Sequence, residues 1–189
     1  MLMNASGPKA ALVLLAVGAF ATATPAVAQT VATDNVRQRQ DGMKAMAAAA
    51  KTIDGMFKGS SAYDANAFKA AAETIGSHSG ERLSSLFDRS IGAPGSKASA
   101  NVESERPKFD KLAADLGVYA SALSAAAERN PDVLSPQMRM QAGDAMMGGP
   151  LAREAKTDRD VWSMPAEHAF HLMLQTCTSC HAQFRVRTE

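Results

Sequence analysis

The sequence is short of the residues from which most enzyme sites are assembled. In 189 residues it has four histidines, two cysteines and one tryptophan, and aromatics make up only 5%. Two cysteines exclude a disulfide-rich framework. A zinc site of four protein ligands is also poorly served, because no second C-x-x-C and no H-x-x-x-H completes the set. Charge of one sign is missing as well: 20 lysines and arginines face 19 acids, for a formal net charge of +1. That balance gives no electrostatic case for nucleic acid or for a membrane surface. No Ser/His/Asp arrangement, phosphate loop or paired-carboxylate signature stands out. What is abundant is alanine and methionine, and with so few aromatics this composition favours helices.

Both cysteines fall in one stretch, Cys177-Thr178-Ser179-Cys180-His181, close to the C-terminus. This is the haem c attachment pattern. Two thiols add across the two haem vinyl groups, and the following histidine reaches the iron. On a helix advancing about 100° per residue, with Cys177 at the origin, Cys180 falls near 300° and His181 near 40°, so the three share a face. A redox or structural disulfide remains the competing reading. A thioredoxin-like motif would follow a strand, however, and a disulfide closing so tight a loop would constrain little of the chain.

Met1 to Ala28 has one positive charge, Lys9, then an apolar run from Ala10 to about Ala21, and ends in Ala26-Val27-Ala28. It reads as a secretory signal peptide, and the run is too short for a transmembrane anchor. Loss of the leader removes Lys9 and brings the net charge to about zero. The expectation is an exported, periplasmic protein with residues 29–189 as one domain. Export agrees with the motif, since haem c is attached outside the cytoplasm.

Along that domain, Val36, Arg39, Met43, Met46, Ala50, Ile53 and Phe57 recur at three and four spacing. They predict an amphipathic helix from about Thr33 to Lys58, capped by Thr33 or Asp34. Gly42 within it marks a close approach by a flat ligand. A second helix is expected from Asp64 to about Phe87, breaking near Ser77-His78-Ser79 with His78 as an exposed break residue. The stretch SIGAPGSKASAN, 90–101, reads as a connection. A third helix runs from about Glu103 to Arg129, with Pro107 in or just ahead of its first turn. A long connection, 130–163, carries Met138, Met140, Met146 and Met147, whose thioethers are either apolar cover or a soft site for Cu(I). The last helix, from about Met164 to Val186 with Ser163 as cap, carries the haem motif. His168 and His171 on it point away from the face of His181. The fold class is therefore all-α: an antiparallel up-down four-helix bundle with a long connection between the third and fourth helices.

The motif's position at the end of the chain, its extension to Phe184-Arg185, and the first-helix pattern Arg39-x-x-x-Met43-x-x-Met46 resemble the class II c-type cytochromes. That family comprises the cytochromes c′ and their low-spin relatives. The resemblance implies one covalently attached haem c, with Cys177 and Cys180 as thioether positions and His181 as proximal iron ligand. It further implies Phe184 beside the haem, Arg185 near the proximal histidine, and Arg39 next to a haem propionate. Two features depart from the family. The tryptophan usual at the start of the third helix is replaced by Asn101-Val102-Glu103, and the third connection is longer than the norm.

Function then turns on Met43. As a second iron ligand, its thioether would make a low-spin carrier of single electrons between redox partner proteins. As an apolar side chain beside a vacant position, it would leave a five-coordinate iron open to NO or CO. Electron carriage is the first expectation and gas binding the alternative, with no enzyme activity of its own in either case. A haem-free bundle with a disulfide or metal site is the third. Met46 is expected in the core. The Ala-rich face at Ala47 to Ala50 would permit a homodimer by close helix approach.

Overall fold

A computed structural model describes residues 25–141 and 161–186. Six α-helices, α1 Pro25–Phe57, α2 Ala65–Ser77, α3 Gly80–Ser85, α4 Asn101–Ser104, α5 Arg106–Arg129 and α6 Ala166–Phe184, are joined by loops and one 3₁₀ turn, Pro136–Met138. There is no strand among the described residues. The four long helices α1, α2, α5 and α6 form the expected four-helix bundle, with α3 and α4 as short appendages.

The apolar spacing of α1 is realised nearly as written. Val36, Arg39, Met46, Ala49, Ile53, Met56 and Phe57 are buried, while Met43 is half-buried. The start of the helix differs from expectation. Thr33 and Asp34 are not caps but interior residues, Thr33 Oγ1 donating to the Gln29 carbonyl at 2.9 Å and Asp34 pairing with Arg37 at 3.0 Å. Nothing in the Ala/Val-rich stretch after Pro25 breaks the helix, so propensity carries it further toward the N-terminus.

The second helix starts where expected, and Asp64 caps it: its Oδ1 accepts the Ala67 N–H at 2.7 Å. The helix breaks at Ser77-His78-Ser79, where Gly80 takes a left-handed φ of +59°. His78 is not the exposed break residue expected. It is half-buried against α1, and a Cβ built on Gly42 would lie 2.9 Å from its Nδ1. The close approach marked by Gly42 is therefore that of the α2 end, not of a ligand. α5 buries Phe109, Ala113, Leu116, Ala120, Leu123 and Ala127 along one face, with Pro107 in its first turn.

After α5 the chain stays tied to the bundle for a short distance. Met138 is buried, Arg139 donates to the Phe57 carbonyl and pairs with Glu167 at 3.2 Å, and the Met140 N–H donates to Glu167 at 2.8 Å. Met146 and Met147, like all of 142–160, lie outside the described residues. α6 starts two residues later than expected, with Pro165 rather than Ser163 at the cap position. Pro165 is extended, which suits a residue preceding the first helical turn.

Two apolar clusters fill the bundle. The larger joins Ile53, Phe57, Phe68, Ile75, Phe170 and Met173, among others, with Met46 inside it. The smaller, around Phe87, Phe109 and Phe184, lies where the C-terminal end of α6 meets α5 and the loop after α3. Met43 packs against both. No described helix is long and apolar enough to cross a membrane.

Candidate functional site

Above the smaller cluster opens a cleft of about 300 Å³ between α1 and the end of α6. Its floor is aromatic: Phe87 and Phe109 meet edge to face at 4.7 Å, and Phe109 and Phe184 at 5.2 Å. Each contact adds to the burial of these rings and fixes their planes. From α1, Arg39, Gln40, Met43 and Lys44 reach the cleft. They sit at i, i+1, i+4 and i+5, the face that a helix presents to one neighbour. From α6 come Cys180, His181 and Arg185, and a third wall is made by Lys97 and Ala98.

The C-terminal end of α6 is held against that third wall. An antiparallel bridge pairs Ala98 with Arg185, the Ser99 N–H donates to the Phe184 carbonyl and the Val186 N–H to the Lys97 carbonyl, both at 2.9 Å. Ser99 and Asn101 side chains donate to the Gln183 carbonyl at 3.3 Å and 3.0 Å. These bonds satisfy carbonyls that a helix end otherwise leaves open.

Of the residues expected at the site, Arg39, Met43, Cys180, His181, Phe184 and Arg185 all line this one cleft. Cys177 does not. It is half-buried one turn earlier on α6 and packs against the larger cluster, so the motif spans the boundary between the two. Both thiols are free. Burial raises their pKa values, that of Cys180 to about 11 with the neighbouring Cys177 adding to the rise. Burial, then the charge of Arg185, lowers the pKa of His181. The shift favours the neutral imidazole, the form that binds a metal.

Arg39 is 5% exposed, and its guanidinium stands 4.6 Å over the Phe87 ring. Burial lowers its pKa, and no carboxylate pairs with it among the described residues. Among the described residues no acid lines the cleft, against four cations, Arg39, Lys44, Lys97 and Arg185. Two thiols, an adjacent imidazole, an aromatic floor and a cationic rim form a donor set that fits haem. The apolar ring system meets carbon, the vinyl groups meet sulfur, and the anionic propionates meet positive charge. Among the described residues no group of three or more His, Cys, Asp or Glu side chains is disposed to hold a bare metal ion.

A sequence model described as cytochrome c′ matches residues 34–146, more than half of the chain. The chain belongs to the cytochrome c′ family. Membership rests on the first three bundle helices, because the match ends before the C-x-x-C-H motif. The family carries one covalently attached haem c and is periplasmic, and its members are haem proteins of electron transfer or gas binding rather than enzymes of a familiar kind.

Solved structures agree in fold. Cytochrome c′ from Thermochromatium tepidum is 21% identical, covering 82% of this chain and 98% of its own, with a TM-score of 0.56. A nitric oxide complex of a variant cytochrome c prime from Alcaligenes xylosoxidans is 20% identical, covering 82% and 97%, with a TM-score of 0.56. A third cytochrome c′, with ligand-controlled dimer dissociation, is 16% identical over 82% and 97%, with a TM-score of 0.58. No curated protein matches significantly.

Sequence reasoning missed Phe87, Lys44, Lys97 and Ala98. The last two lie in a Ser/Gly-rich segment that reads as a plain connection, and only the bridge to Arg185 brings them to the cleft. His168 and His171 are half-buried and do not line it, in keeping with their expected roles.

Proposed function

We propose that this chain is a periplasmic, five-coordinate cytochrome c′ that binds NO or CO. In this reading Cys177 and Cys180 carry the haem thioethers, His181 is the proximal iron ligand and Met43 guards the opposite side. Met1 to Ala28 serves as the cleaved leader. Bound haem supplies one vacant iron position for a diatomic gas, and everything else is the work of the chain. His181 offers a neutral imidazole, Phe87, Phe109 and Phe184 form an apolar floor, and the cations of the rim offset propionate charge.

The observation that carries this reading is the packing of Met43 against both apolar clusters. A side chain so engaged closes an apolar compartment, which admits a small uncharged gas and excludes water and anions. Family membership and the nitric oxide complex of the Alcaligenes relative support the same choice.

A second reading keeps Met43 as the sixth ligand of a low-spin electron carrier. What favours it is that Met43 lines the cleft one turn after Arg39, on the same face of α1. Visible spectra of the purified protein, oxidised and reduced, separate the two. A high-spin spectrum that shifts on adding CO supports the open site, and a low-spin spectrum indifferent to CO supports ligation by Met43. Ligand-controlled dimer dissociation in one structural relative makes a homodimer through the exposed Ala47 and Ala48 part of the proposal. Sedimentation of only monomer at micromolar concentration, with and without CO, would remove it.

A further inference from the structure

Arg39 is the cation that the family resemblance sets beside a haem propionate, yet its terminal nitrogens are already committed. Nη1 donates to the Leu86 carbonyl at 3.1 Å and to Ser90 Oγ at 2.5 Å. Nη2 donates to the Ser90 carbonyl at 3.2 Å and to Ser96 Oγ at 2.6 Å. A guanidinium has five N–H groups, so only its Nε–H is left. Lys44 is paired with Asp41 at 3.1 Å.

The remaining cations of the cleft, Lys97 and Arg185, have no side-chain hydrogen bond or ion pair among the described residues. The bridge of Ala98 to Arg185 and the Val186 N–H on the Lys97 carbonyl nevertheless tie their backbones together at one wall of the cleft. Both side chains line that cleft, and no acid among its described lining residues offsets their charge. The backbone beneath Lys97 is fixed from both directions. Gln40 Nε2 donates to the Gly95 carbonyl at 3.0 Å, Ser96 is held to Arg39, and the bridge anchors the far side. An ammonium and a guanidinium on a fixed frame, without side-chain partners or acids among the described residues of the cleft, complement a carboxylate.

Resting on the haem reading above, we infer that Lys97, with Arg185 beside it, holds a haem propionate at the cleft mouth, while Arg39 is a buried tie between α1 and the loop after α3. The charged and titratable groups facing that place are Arg39 and Lys44 from α1, Lys97 from the loop, and Cys180, His181 and Arg185 from α6. The wall from α5 contributes only Phe109, and besides Lys97 the loop after α3 contributes only the uncharged Phe87 and Ala98.

The test uses the haem-loaded protein and compares Lys97→Gln, Lys97→Arg and the exposed control Lys51→Gln. Resonance Raman spectroscopy reads the propionate bending band, and a potentiometric titration reads the reduction potential. The expected result is a shifted band and a lowered potential in Lys97→Gln, restoration of both in Lys97→Arg, and neither change in Lys51→Gln. A band that stays in place in Lys97→Gln overturns the inference even if the potential falls, since Lys97 would then act only as a distant charge. A positive pyridine haemochrome assay on the same samples keeps this outcome distinct from failure of the haem reading itself.

Discussion

The two apolar clusters are built from the same materials and do different work. In the larger, Phe57 meets Phe68 at 5.5 Å and Phe170 at 5.6 Å, and four helices close over them, leaving Phe68 and Ile53 fully buried. In the smaller, the three rings of Phe87, Phe109 and Phe184 are also buried, but they form the floor of the cleft. The larger cluster is therefore a closed core, and ligand contact belongs to the smaller. The C-x-x-C-H motif is placed across the boundary, with Cys177 packed in the first half and Cys180 in the second.

Substitutions can break this division, beginning with the largest effect. Removing both thiols, Cys177→Ala with Cys180→Ala, should abolish covalent haem, so that acid-acetone extraction takes all colour from the protein pellet while wild-type pellets stay coloured. Phe68→Ala, in the closed half, should cost about 3–5 kcal/mol in urea unfolding of the haem-loaded protein. Its visible spectrum should remain that of wild type. Gly42→Ala should cost about 1–3 kcal/mol because its Cβ would meet His78 at 2.9 Å. It tests whether that seam between α1 and the α2 end is structural, and its haem spectrum should also be unchanged. The smallest effect is Asp64→Ala, about 1 kcal/mol from the lost bond to the Ala67 N–H, again read as a shift in the urea midpoint.

The closed half was the more legible in the sequence. Its stripe on α1 and the start of the second helix at Asp64 are local patterns, and so is the break after Ser77, each set by residues within one or two turns. The ends of α1 and α6 were less so. The Ala/Val stretch after Pro25 has no residue that stops a helix, and Ser163 lies two residues before a proline that takes the cap position itself. At the cleft, Cys180 and His181 followed from the motif, and Arg39 and Met43 from helical spacing together with the family resemblance. Lys97 was illegible because its place depends on pairing with a residue far along the chain, which no periodicity records. Arg39 was found, but its bonds to Ser90 and Ser96 were not, since both reach it only through the fold of the loop.

The central claim is that Met43 closes an apolar compartment without binding the iron. CO binding to the reduced protein, followed by visible spectroscopy in wild type and Met43→Ala, tests it most directly. The account predicts a high-spin spectrum in both proteins, with CO binding to wild type and faster to Met43→Ala. A wild-type protein that is low-spin and unchanged by CO, turning high-spin and CO-reactive only in Met43→Ala, would contradict it and make Met43 a ligand.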